Sequence, residues 1–496
     1  MNRLKLGLVS TVAVVGCFGA VDTANAQFLY SGGGTLASLV YRQLFDCYYY
    51  SIPGDTLSTS CTNTAGVTGA IAEILYAPVG SGAGQNAFVA HNPTVLGTPA
   101  TTNTVPYTSS YETLVGTSIY PYPSLQFAGS DAVLSGSLYK TFQINQGGIG
   151  IFAKWGKAIE IPAFSTPVAI ITKDPALSFT SGRLQLSRKS LCGIFSGHIT
   201  DWSDAQLTAD NGGVAIHSSP YPITLVHRSD GSGTTFLLTQ ALLAQCGGQV
   251  GPTSTGSASF SLYEFPWSDA NATCPAPLTP PVPFQPTTKA NWFDINGTHT
   301  DQCGAPIPNP GGMLFANASG SGGVANLVST TAGAIGYVSP DFAAPVNPSG
   351  PAMAAVQDQF DIDNNFTTTP TYVVPSPASA NLAMLGASAD FSNSDITDPL
   401  NWSAQGVVPN PNLNGAYPIS GFTWFYFYQC YAPGQNFTLI QNYLIWHYTA
   451  PLAATILNNN GFSPIPTPWL NAATNLVGGT MGTAGAGACA GVAPGA

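Results

Sequence analysis

Charge is what this chain has least of. Asp, Glu, Lys and Arg make up 7% of its 496 residues, and their balance is −11. Without a basic field there are no counterions to release from a phosphate backbone. Nucleic acid is therefore excluded as a general partner, and an anionic membrane surface with it. Zinc-type cysteine pairs are missing too. No CxxC occurs, and the six histidines (91, 198, 217, 227, 299 and 447) show no metal-ligand spacing. Neither a metal nor another cofactor is expected. The G-x-S-x-G elbow of many hydrolases is absent. Beyond the first 26 residues no apolar run is long enough to span a bilayer.

What is present points to a large globular body. Hydrophobic residues at 44%, with 25 Phe, are enough for real cores, while 54 Gly and 40 Pro imply many loops. The length suits two domains or one bilobed unit. "MNRLK", an apolar run and "ANA" before Gln27 read as an export signal over residues 1–26. That places the mature chain in the periplasm or outside the cell. A second reading takes "VVGC" as a lipid-attachment box, with the anchor on Cys17. Cleavage after Ala26 leaves eight cysteines, and an even count in an exported chain reads as a disulfide framework. Sequence alone does not decide the pairing. Neighbour pairing is the expectation: Cys47–Cys61, Cys192–Cys246, Cys274–Cys303 and Cys430–Cys489.

Apolar strand runs alternate with helical periodicity along the chain, which predicts α/β architecture with sheets covered on both faces. Leu36, Leu39, Val40 and Leu44 share one helical face. Residues 157–173 read as a strand, 417–431 as a core strand and 439–457 as a helix. Residues 322–342 read as a helix followed by a strand. Residues 92–125 look like an inserted loop. Residues 252–312, with "PAPLTPPVPFQP" at their centre, look like a Pro-rich insertion. The Gly/Ala-rich tail reads as loop tied down by Cys489.

Three segments share one design: a strand, a short Gly/Ser/Thr turn, then a helix. They are Gly32–Leu36, Gly80–Gln85 and Arg228–Thr235. A helix start offers unpaired N–H donors and a partial positive charge. Glycine lets an anion approach that backbone, and hydroxyls add donors. Converging, the three ends would cage an oxyanion without net positive charge. Arg228 would add a planar fork, with Asp230 holding the guanidinium in place. Asp131, in "AGSDA", is the odd member, because a carboxylate repels an anion. It fits a ligand that carries a proton. Hydrogen phosphate has P–OH groups to donate and sulfate at neutral pH has none, so an acceptor among donors selects phosphate. Each turn alone reads equally as an ordinary helix cap; their combination is what carries the inference.

"LYSGGGTL", "VGSGAG", "FAGSDAVLS" and "HRSDGSGTT", in this order, resemble the phosphate-binding proteins that serve ABC transporters. "WGKAIEIP", "LCGIFSG", "YVSPDFAAP" and "GFTWFYFYQCYA" are closer to the DING-type members. The resemblance covers most of residues 28–470. It implies a type II periplasmic-binding-protein fold: two α/β lobes with a hinge and a ligand cleft. The first lobe would take 27–157 and 341–496, and the second 158–340. It implies phosphate ligands at Thr35 and Leu36 (backbone N–H), Ser81 and Asp131 in the first lobe, and at Arg228, Ser232, Gly233 and Thr234 in the second. Cys192–Cys246 and Cys430–Cys489 match the two disulfides of the DING type. The stretch at Asp230-Gly231 departs from the usual DING Glu-Ser and matches the transporter form. Cys47, Cys61, Cys274 and Cys303 have no family counterpart, and the 86–125 and 252–312 segments are longer.

The implied function is a high-affinity receptor for inorganic phosphate, not an enzyme. It would be a monomer, with the membrane subunits of a phosphate ABC transporter as partner or secretion as a scavenger. Arsenate carries protons as phosphate does and would fit the same cage. A phosphate monoester hydrolase is the second reading, because DING-like proteins are linked with phosphatase activity. His227 is its one candidate beside the cleft. As the residue before Arg228 on a strand, it faces the other way. An extracellular adhesion or scaffold protein that kept the fold is the third.

Overall fold

The computed structural model describes residues 27–48, 72–99, 113–114, 117–118, 120–195, 197, 199–246, 313–365, 370–434 and 437–496. The expected signal peptide, Cys17, Cys61, Cys274, Cys303 and the 252–312 insertion lie outside them.

In chain order, β1 (Gln27–Gly33) leads into α1 (Ser38–Tyr48), and β2 (Ala72–Pro78) into α2 (Ser81–Ala90). β3 (Phe127–Ser130) leads through a turn into α3 (Gly136–Asn145), and β4 (Ala158–Pro167) runs on into β5 (Ala169–Thr172). Next come α4 (Arg188–Phe195), β6 (Thr224–Arg228) with α5 (Gly233–Cys246), and β7 (Leu314–Ala318) with α6 (Gly320–Thr330). β8 (Ala334–Val338), β9 (Ala352–Met353), α7 (Pro399–Gly406) and β10 (Ser420–Tyr428) follow. The chain ends with α8 (Phe437–Thr449), α9 (Pro451–Asn459) and α10 (Thr467–Thr480).

Two five-stranded sheets result. The first has the order β2-β1-β3-β10-β4, the second β7-β6-β8-β5-β9. In the first, β1 runs parallel to β2 and β3; in the second, β6 runs parallel to β7 and β8. Each sheet therefore places its leading strand between the two that follow it. That reversal of strand order leaves a crevice at the carboxyl ends of the strands, where α/β proteins hold ligands. All three turns singled out in the sequence sit at such ends.

The lobes are built as the alternation of strands and helices predicts, but they divide elsewhere. β4 stays in the first sheet as far as Pro167, paired with β10, and only β5 enters the second, paired with β8 and β9. The crossing thus falls at Val168, whose N–H still donates to Ile419 O at 2.7 Å, and not at 157/158. One extended run serves both sheets, which is why 157–173 reads as a single strand. The second sheet also keeps Ala352–Met353, beyond the expected return at 341. The helix expected at 439–457 is two helices, because Pro451 has no N–H to continue the ladder and starts α9 instead. The tail carries more order than a loop: α10 reaches Thr480, and Gly482–Thr483 pairs with Cys430–Tyr431. Cys192–Cys246 and Cys430–Cys489 are bonded, and Cys47 is also disulfide-bonded.

All nine residues of β10 are buried. Helices cover both faces of its sheet, so aromatic side chains face both ways. Phe425 stacks on Tyr41 and meets Phe127 edge-on, while Tyr426 and Tyr428 on the other face meet Phe88. Every side chain of α1 is buried, so it is enclosed rather than one-faced. Arg42 and Asp46 pair inside that environment.

Glu160 on β4 is fully buried and accepts from Leu134 N–H (3.0 Å) and Ser403 Oγ (2.7 Å). Burial pushes its carboxyl from 4.5 up to about 8, against the pull of those donors. The folded chain holds this proton more tightly than the unfolded chain. Its contribution to stability is therefore complete below 4.5 and is lost as pH rises towards 8. Glu160→Gln should remove that loss. The thermal midpoint of the variant should stay flat over this window while the parent's falls, by an amount on the order of a few kcal/mol. Parallel slopes in a pH series of melting curves would reject the assignment.

Candidate functional site

The chain leaves β1 through Gly32, Gly33 and Gly34 because its neighbours allow no side chain. A Cβ on Gly33, at φ +141°, would stand 1.9 Å from Gly129 O. The turn then exposes the N–H groups of Thr35 and Leu36 ahead of α1. Thr35 and Leu36 are both buried, at 1% and 0% exposure. α2 begins at Ser81 with no side-chain cap on its first turn. α5 begins at Gly233, and Ser232 Oγ takes the N–H of Thr235 at 3.1 Å. Among the described residues no acceptor takes the backbone N–H of Thr35, Leu36, Ser81, Ser232, Gly233 or Thr234.

These turns meet. Ser81 Oγ donates to Asp131 Oδ2 at 3.2 Å and accepts the Asp131 N–H at the same distance. A Cβ built on Gly34 would lie 2.9 Å from Asp131 Oδ2 and 3.1 Å from Ser81 Oγ. One built on Gly233, in the other lobe, would lie 2.5 Å from Ser81 Oγ and 2.6 Å from Asp131 Cβ. The turns of both sheets thus press on one point, and the lobes are closed on each other. Gly82 N–H donates across the cleft to Gly231 O at 3.1 Å.

Arg228 is 2% exposed. Its Nε and Nη2 donate to Asp230 Oδ1 (2.7 Å) and Oδ2 (2.5 Å), so Asp230 holds the guanidinium as the sequence suggests. Its Nη1 turns towards the cage, 3.3 Å from Thr234 Oγ1 and 3.5 Å from Ser321 Oγ. Burial works against the Arg228 charge, but the Asp230 carboxylate outweighs it and raises the pKa. In return Arg228 overcomes burial at Asp230 and lowers its carboxyl below the ordinary value.

Asp131 is 1% exposed. Burial pushes its carboxyl from 3.8 to about 6, while Thr423, Arg228 and Ser81 pull the other way. A carboxylate has room for about four hydrogen bonds. Ser81 and Thr423 (Oγ1, 3.0 Å) supply two. The site combines a buried acceptor with one guanidinium, several hydroxyls and a ring of backbone donors, which suits a small oxyanion bearing its own proton.

Two contributors escape the sequence reading. Thr423 lies within a strand read as core, and its one signal is a hydroxyl among aromatics in "GFTWFYF". Ser321 stands at a fourth strand–turn–helix junction, "FANASGSGGVANL", whose helix was expected from residue 322. His227 lies edge-on to Phe315, its Nδ1 3.0 Å from Arg228 O, and is not part of the cage. His91 packs on Trp155 and Tyr428, and His447 on Phe425. Among the described residues no group of three His, Cys, Asp or Glu is placed to hold a metal. Nor is any helix among them long and apolar enough to cross a membrane.

A family model described as a PBP superfamily domain matches residues 22–450. A phosphate-binding protein of an unknown prokaryotic organism is 28% identical over 406 residues, covering 79% of this chain and 85% of the relative. Alkaline phosphatase L of Pseudomonas aeruginosa is 28% identical over 401 residues, covering 81% and 80%. Among solved structures, the high-affinity periplasmic phosphate-binding protein PfluDING, with phosphate bound, superposes with a TM-score of 0.54. It is 25% identical, with 90% of this chain and 92% of that one covered.

Proposed function

This chain belongs to the PBP superfamily, and on that premise we propose that it is an exported phosphate-binding protein that closes two lobes around one ion. One observation carries the reading. Unpaired backbone N–H groups from both lobes converge on a buried carboxylate whose pKa sits near 6. Thr35, Leu36 and Ser81 donate from the first lobe. Ser232, Gly233, Thr234 and the Nη1 edge of Arg228 donate from the second. Asp131 accepts the P–OH of hydrogen phosphate. Hinge closure brings the second set onto an ion already touched by the first. A receptor for an ABC transporter, working as a monomer with membrane subunits, and a secreted scavenger both use this site unchanged.

The relatives carry a second name, alkaline phosphatase, and so a second reading: hydrolysis of a phosphate monoester. Ser81 Oγ against Asp131 is the arrangement that would favour it. A hydrolase must also hand a proton to the departing alcohol. The described histidines pack elsewhere, and the guanidinium is held charged by Asp230. Binding without turnover is therefore the stronger reading. Calorimetry of the mature protein should give one tight site for phosphate, a comparable one for arsenate and little heat with sulfate. Incubation with an aryl phosphate should release no phenol. Sustained turnover would reverse the choice, and equal affinity for sulfate would remove the cage's logic.

A further inference from the structure

We propose that Ser321 is the latch of the closed state: its N–H and hydroxyl join Thr35 of one lobe to Arg228 of the other and set how long phosphate is held. The inference rests on the phosphate reading above. It concerns release rather than recognition.

Ser321 is fully buried at the second position of α6, in the second lobe. A serine at a helix start ordinarily caps its own helix. Here the N-cap is Ser319, which makes no side-chain cap bond, and Ser321 reaches outward instead. Its N–H donates to Thr35 Oγ1 at 3.2 Å, and its Oγ lies 3.4 Å from the same atom, across 286 residues of chain. The same Oγ is 3.5 Å from Arg228 Nη1. One residue earlier, Gly320 N–H donates to Asp230 Oδ1 at 2.9 Å. The first two donors of α6 are thus divided. One fixes the carboxylate that aims Arg228, and the other grips the turn that presents the Thr35 and Leu36 amides.

The consequence is directional. The Gly320–Asp230 bond lies within the second lobe and survives opening. The Ser321–Thr35 contact crosses the cleft and exists only when the lobes are shut. It forms after the ion has entered, so its loss speeds departure and leaves arrival nearly unchanged. One hydroxyl contact of this kind changes a rate by about fivefold to tenfold.

The test uses the mature protein loaded with radiolabelled phosphate and chased with excess unlabelled phosphate. Ser321→Ala should release phosphate about fivefold to tenfold faster. Association should stay within about twofold of the parent and the phosphate-free thermal midpoint should not move. A purely structural role would lower that midpoint instead. Thr35→Val keeps the backbone amide but removes the acceptor, so a cycle of the two substitutions should be non-additive. Unchanged release in Ser321→Ala, or additive effects in the cycle, would overturn the latch while leaving the site intact. A parent that takes up no phosphate would overturn the reading on which the latch depends.

Discussion

Replacing Arg228 with alanine is expected to weaken phosphate binding by about a thousandfold or more in calorimetric titration. The guanidinium is nearly solvent-free and bonded through two nitrogens to Asp230. Its removal deletes the one cation of the cage and strands the Asp230 carboxylate, 16% exposed, beside the anion. Breaking a buried pair from one side costs about 3–5 kcal/mol before any lost contact with the ligand is counted. Arg228→Lys should recover only part of this, because a point charge cannot hold Asp230 along two bonds and still face the cage. Wild-type affinity in the alanine variant would show that the ion, if bound, sits elsewhere.

Asp131→Asn is expected to change which ion binds rather than whether one does. A tetrahedral anion without a proton must face a buried acceptor that it cannot satisfy, and such a mismatch costs on the order of a thousandfold in affinity. Asparagine keeps an oxygen for Ser81 or Thr423 and adds an N–H donor in place of the charge. The ratio of sulfate to phosphate affinity should therefore rise by about that factor, most of it from sulfate gained. Competition calorimetry at neutral pH reads the ratio directly. Since Asp131 titrates near 6 in the folded chain, the parent should also begin to accept sulfate as pH falls below that value, and the variant should show no such onset. An unchanged ratio would refute the acceptor role.

Most of the site was legible because its chemistry is local. Glycine next to serine or threonine between a strand and a helix is a short pattern, and Thr35, Ser81, Arg228 and the 232–234 turn each sit inside one. Asp131 could be singled out because an acid among donors is an anomaly. Thr423 and Ser321 were not, for different reasons. Thr423 reaches Asp131 through strand pairing between segments 292 residues apart, which no window along the chain contains. Ser321 lies in the same kind of turn as the others, but its contact with Thr35 depends on how the lobes close. The fold class followed from alternation, whereas the lobe boundary did not. Pro167 and Val168 continue an extended run without a turn signal, so nothing in the sequence marks where one sheet hands the chain to the other.

The two described disulfides have a consequence for how this molecule moves. Cys192–Cys246 joins α4 to the end of α5 beside the second sheet, and Cys430–Cys489 fastens the tail to the strand following β10 beside the first. Each cross-link is private to its own half. Opening and shutting therefore stretch no sulfur bridge, and the resistance to that swing comes from main-chain connections such as Val168 together with the polar contacts across the cleft. Reduction would soften either half without unlocking the pivot, so oxidative maturation governs durability here and leaves the breathing of the molecule free.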